Sequence, residues 1–210
     1  ALWRISLKDP DERKLGREIS DAINELALAT IPGMFAISGG GIARPFGVHW
    51  PARIPAELVP QHVYVLGGNR TVVDSVAPVG EALATKLEDP SFAVPNGPTV
   101  LTELGRIIGS RSGDKTGNAN LGVFARSSEA WAWLDNFLTI EQLRKLLPET
   151  ADLTIDRYRL ANIYSLNFVI HGLLGEGVAA STRQDGQAKS LGEWLRARLV
   201  DMPKSLIDGP

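Results

Sequence analysis

The chain has 210 residues, 22 Lys and Arg against 24 Asp and Glu, a formal net charge of −2 and 44% hydrophobic residues. That composition is globular, leaves room for one large or two small domains, and gives no electrostatic reason to expect a nucleic-acid or anionic-membrane surface. With no cysteine, disulfides, thiolate metal sites and a cysteine nucleophile are excluded; with three scattered histidines, His49, His62 and His171, no metal and no cofactor is expected.

No stretch approaches the roughly 18 consecutive apolar residues of a membrane span, since the most apolar segment, 26–37, is interrupted by Pro32 and Gly33. The opening ALWRISLKDP lacks the pattern of a signal peptide, so a soluble cytoplasmic protein with no membrane partner is the expectation. It also lacks an initiating Met, as a fragment or a processed product would.

In chain order, Leu2 to Leu7 is a short apolar run, and Asp9-Pro10-Asp11-Glu12 predicts a helix start with Asp9 as N-cap and Pro10 at the first helical position. Leu15, Ile19, Ala22, Ile23 and Leu26 recur every three or four residues and predict one buried stripe, which Pro32-Gly33 stops. A glycine cluster, a proline-punctuated loop over 38–55 and a strand over 62–66 follow. Ten of the 13 prolines lie at or before Pro98. The stretch 89–98 holds three of them and predicts a linker between a first region, 1–95, and a second, 99–210.

The second region is better patterned. Strands are predicted over 100–108 and 120–125, with Leu121, Val123 and Ala125 on one face. Ser127 or Ser128 caps a helix carrying Trp131, Leu134 and Leu138; Thr139 with Gln142 caps the next, and Pro148 ends it. A strand over 153–160 precedes a predicted helix in which Ile163, Leu166, Asn167, Ile170, Leu173 and Leu174 are helically spaced, with Gly175 and Gly177 as its stop. A strand over 178–183, a turn at Asp185-Gly186 and a helix with Leu191, Trp194, Leu195 and Leu199 complete the chain. The order ββαβαβα predicts an α+β sandwich with helices on one sheet face.

Several motifs fail. Gly175-Glu-Gly-Val-Ala-Ala180 matches a dinucleotide fingerprint as a string, but it follows a predicted helix and precedes a strand, the reverse of what the motif needs. Gly113-Asp114-Lys115-Thr116 puts a carboxylate where a phosphate loop needs glycine. Gly39-Gly40-Gly41 is read as a flexible loop before an anion nest. What remains is Arg111-Ser-Gly-Asp-Lys-Thr-Gly-Asn-Ala-Asn-Leu-Gly122, which crowds charges, hydroxyls and amides into a glycine-rich bend. Asp114 and Asn118 capping a plain turn is one reading. The other places Asp114 and Lys115 on a cleft shared with Asn167 and His171, which fall four residues apart on the predicted helix.

The runs RSGDKTGNANLGVFARS (111–127), LTIEQLRKLLP, RYRLANIYSLNFVIHGLLGEGV (157–178) and RQDGQAKSLGEWL carry a resemblance. Over about residues 100–202 the chain resembles the ferredoxin-fold module of the acyclic terpene utilisation (AtuA-type) family. The first region is similar to the tail of the larger domain preceding that module. The resemblance implies a C-terminal ferredoxin-like α/β sandwich in a protein of acyclic isoprenoid catabolism, the degradation of citronellol- or geraniol-like compounds as coenzyme A thioesters. It implies functional positions at Ser112, Gly113, Asp114, Lys115, Asn118, Asn120, Asn167, Asp185 and Lys189, beside His171. Two readings follow. In one, a branched acyl-coenzyme A thioester is hydrated or otherwise acted on by proton transfer, with Asp114, Lys115 and His171 catalytic and the amides orienting a carbonyl. In the other, the module is a non-catalytic binding and oligomerisation element, and the chain forms a homo-oligomer or associates with the rest of the large domain.

Overall fold

A computed structural model describes residues 5–29, 32, 33, 35, 43–74 and 90–207. The triple glycine 39–41 lies outside them. The described residues form helices and antiparallel sheets, an α+β architecture, and none of their helices is long and apolar enough to cross a membrane.

In the first region the chain makes a helix start, displaced from the predicted one. Asp11 caps a 3-10 turn, Glu12–Leu15, by accepting from the Arg13 N–H, while Asp9 accepts from the Asp11 N–H at 2.8 Å. Helix α1 begins only at Arg17 and runs to Leu28. Its stripe is not buried: Ile19 and Ile23 are half-buried and Leu26 is exposed. Strands β1 (Gln61–Tyr64) and β2 (Arg70–Val73) pair in a hairpin in which every residue but His62 is exposed.

Among the described residues, the buried hydrophobic core lies within 104–202. The predicted strand 100–108 is two strands with a break. β3 (Thr99–Glu103) ends in a 3-10 turn at 104–106, and β4 (Ile108–Lys115) then starts on another sheet. β4 continues through the glycine-rich segment and returns as β5 (Asn118–Ala125), with Lys115 opposite Asn118. That segment is therefore not a bend but a hairpin whose loop is Thr116-Gly117.

Helix α2 (Ser128–Phe137) starts where the Ser127 hydroxyl accepts from the Ala130 N–H, and α3 (Ile140–Leu146) where Thr139 accepts from Gln142. β6 (Ile155–Leu160) anchors the end of α2: Arg157 donates to the carbonyls of Leu138 and Asp135 and to the Asp135 carboxylate, which Arg159 also meets. Cations at a helix C-terminus satisfy its last carbonyls and complement its dipole.

The predicted helix over 163–174 is a correction. Tyr164 turns left-handed (φ 52°) and the chain reverses into strand β7 (Ser165–Ile170). Leu166, Phe168 and Ile170 are fully buried, and Ser165, Asn167 and Val169 face the other way. The predicted strand over 178–183 is likewise turn, and Leu199 does not belong to the last helix. Helix α4 (Leu191–Arg196) is short, and β8 (Leu199–Pro203) follows and pairs with β3.

The main sheet has the order β4-β5-β7-β6, all antiparallel. Trp131, Leu134, Leu143, Leu191 and Leu195 from α2, α3 and α4 join Leu121, Val123, Leu166 and Phe168 in one core. Alternation along β5 and β7 leaves the opposite face to polar and exposed residues.

Candidate functional site

Strand alternation sorts the predicted residues. On β4, Ser110, Ser112 and Asp114 face the helices, whereas Gly109, Arg111, Gly113 and Lys115 face the open side, in register with Phe124, Gly122, Asn120 and Asn118 of β5. Asp114 and Lys115 therefore sit on opposite faces, and the expected cleft holding both with Asn167 and His171 does not form.

Three predicted residues hold loops in place, and a fourth bonds its own strand. The Ser112 hydroxyl accepts from the Gly192 N–H at 3.0 Å and donates to the Lys189 carbonyl at 3.3 Å, tying α4 to β4. Asp185 accepts from the N–H groups of Lys189 and Ser190 and from the Ser190 hydroxyl. Asn118 accepts from the Gly172 N–H at 3.0 Å. Lys115 turns back on its own strand and donates to the Asp114 carbonyl at 2.9 Å. The turn after β7 also leans on the hairpin loop: the Leu174 N–H donates to the Gly117 carbonyl, and a Cβ on Gly117 would collide with the Gly175 carbonyl oxygen.

The open face brings the others together. Asn120 and Asn167, on neighbouring strands, bond reciprocally through their side-chain amides at 2.8 and 3.1 Å. They sit diagonally between two bare positions, Gly113 opposite Asn120 and Gly122 opposite Asn167. Lys189 reaches over the edge strand, and its ammonium lies 3.0 Å from where a Gly113 Cβ would be. The Phe124 ring covers Gly109 so closely that a Cβ there would clash with it. Beyond Asn167, Tyr158 and Leu160 of β6 are exposed on the same face.

His171 lies just past β7, with its Nε2 2.8 Å from the Asp156 carboxylate; both side chains are about half exposed. Sequence reading missed Asp156 because the two are far apart in the chain and meet only through the β6–β7 pairing. It also missed the roles of Arg111, Gly122 and Phe124, which a two-residue period along 109–124 could have assigned to one face. Among the described residues no group of three His, Asp or Glu side chains converges as a metal site. Grooves along α1, lined by Leu15, Ile19 and Phe46, and between α3 and β6 touch none of the predicted residues.

Comparison with known proteins gives one family. Residues 102–201 match the model described as AtuA ferredoxin-like domain. No curated protein and no solved structure matches the chain.

Proposed function

With residues 102–201 an AtuA ferredoxin-like domain, we propose that it is the non-catalytic binding module of a protein of acyclic isoprenoid catabolism. Its open sheet face receives a branched acyl-coenzyme A thioester, and the chemistry belongs to another domain or chain. The observation that carries this reading is the dispersal of the acid/base candidates. Asp114 faces the helices, Lys115 bonds its own strand, and His171 is held by Asp156, while the amide pair Asn120–Asn167 lies between them on an open surface. General acid–base catalysis needs such groups within hydrogen-bond reach of one reacting atom. The exposed apolar side chains of the first region, Trp50, Leu58 and Leu66 among them, support its association with a second copy or with the remainder of an AtuA-type protein.

The His171–Asp156 pair favours a second reading, in which a carboxylate orients a histidine that acts as base on the same thioesters. The purified chain and geranyl- or citronellyl-coenzyme A separate the two. Calorimetric binding, with the thioester recovered unchanged by mass spectrometry, is expected. Conversion that His171→Gln abolishes overturns the non-catalytic reading, and absence of binding overturns the choice of ligand.

A further inference from the structure

The open face of β4 and β5 has an unusual balance of hydrogen-bonding groups. Among the described residues, neither the Arg111 guanidinium nor the Lys189 ammonium has a hydrogen-bond or ion-pair partner. Asn120 and Asn167 spend their carbonyl oxygens and one N–H each on one another, so each keeps one N–H to offer. The patch thus offers four donor groups, and two of them carry a full positive charge.

The carboxylates nearby are directed elsewhere. Asp114 faces the helices, Asp185 binds backbone N–H groups, and Asp156 lies two strands from Asn120 against His171. Arg111 and Gly113 are two residues apart on one face, a spacing of about 7 Å, and adjacent strands lie about 4.8 Å apart. The four donors therefore ring two positions without side chains of their own: Gly113, over which the Lys189 ammonium reaches, and Gly122, where the Asn167 amide comes no nearer than 3.9 Å to the place of a Cβ. A bulky residue at either would fill the depression.

We propose that this glycine-floored patch, Arg111, Gly113, Asn120, Gly122, Asn167 and Lys189, is a binding site for a phosphoryl group. A tetrahedral dianion presents oxygens to the guanidinium, the ammonium and both amides together. A planar carboxylate has two oxygens in one plane, which the Arg111 fork alone satisfies. The site stands independently of the thioester reading, because free phosphate and a phosphate ester both meet its chemistry.

Two-dimensional amide NMR of the whole chain, titrated with inorganic phosphate, glycerol 2-phosphate or acetate, tests it. Saturable shifts are expected for the backbone of 111–113 and 120–122 and for the Asn120 and Asn167 side chains, with both phosphates and not with acetate. A response to inorganic phosphate alone identifies the free ion as the ligand; a tighter response to the ester identifies an ester. Arg111→Gln and Lys189→Gln should each weaken binding at least roughly tenfold, the size expected for losing one charge-assisted hydrogen bond. Gly122→Val, which keeps every donor and suits a strand, should abolish it. No shift in the parent chain, equal shifts with acetate, or full binding in the folded Gly122→Val variant overturns the proposal. A chain that binds phosphate here but no thioester would overturn the proposed thioester ligand and leave this site standing.

Discussion

Two parts of one chain use apolar residues to opposite effect. Strand β7 carries four apolar residues in six, and the two four-residue strands of the β1–β2 hairpin carry four between them. In β7, three side chains on one face are fully buried under three helices; in the hairpin, Val63, Tyr64, Val72 and Val73 are all exposed. A lone two-stranded hairpin has no second layer to cover either face, so its apolar residues gain little from pairing. Periodicity stabilises only where another element closes over it, as α2 and α4 close over β5 and β7.

The sharpest way to break this contrast is to truncate the same kind of residue in each part. Phe168→Ala removes a fully buried ring and should cost about 3–5 kcal/mol by denaturant titration, whereas Val63→Ala should cost less than about 0.5 kcal/mol. Equal losses would mean that the hairpin is covered in solution. Next comes Gly117→Ala. Its methyl would strike the Gly175 carbonyl, so the β4–β5 loop and the turn after β7 must part, at about 1–3 kcal/mol; an unchanged midpoint would show that this contact is loose.

Ser112→Ala leaves the buried Gly192 N–H without its acceptor and should cost about 1–2 kcal/mol. Its counterpart in the first region is the Asp11–Arg13 pair, whose guanidinium is so exposed that Arg13→Ala should barely register. The smallest effect is a pH dependence. Glu129 and Glu141, in the first turns of α2 and α3, titrate below the ordinary glutamate range because each accepts its own backbone N–H and then a cap hydroxyl. A carboxyl with a lowered folded pKa contributes stability above its unfolded value and loses it as pH falls through the folded one. Melting followed downward through the carboxylate range should therefore show a slight loss, removed in Glu129→Gln with Glu141→Gln.

What could be read beforehand follows the same division. Caps and stops are local, so Ser127, Thr139 and Pro148 marked the ends of α2 and α3 directly, and Leu121, Val123 and Ala125 declared the buried face of β5. Residues 163–174 were ambiguous. Ile163, Leu166, Ile170 and Leu173 repeat every three or four, while Leu166, Phe168 and Ile170 repeat every two, and only the left-handed Tyr164 and the waiting edge of β5 decide for a strand. The same ambiguity misplaced the candidate site. Asn167 on a helix would look toward His171; on β7 it looks toward Asn120. Pairings such as Asn120–Asn167 and His171–Asp156 depend on register between distant strands, which no local pattern encodes.

The pairing of β3 with β8 has a mechanical consequence. Thr99 lies opposite Pro203, and the Lys204 N–H donates to the Pro98 carbonyl, so the polypeptide enters and leaves this part of the molecule side by side. A pull on those two ends loads the rungs one after another, from Pro203 toward Leu199, rather than all at once. The β3–β8 ribbon is therefore the part that unzips first under tension, at low force, while the four-stranded sheet behind it bears no load until the last rung has opened.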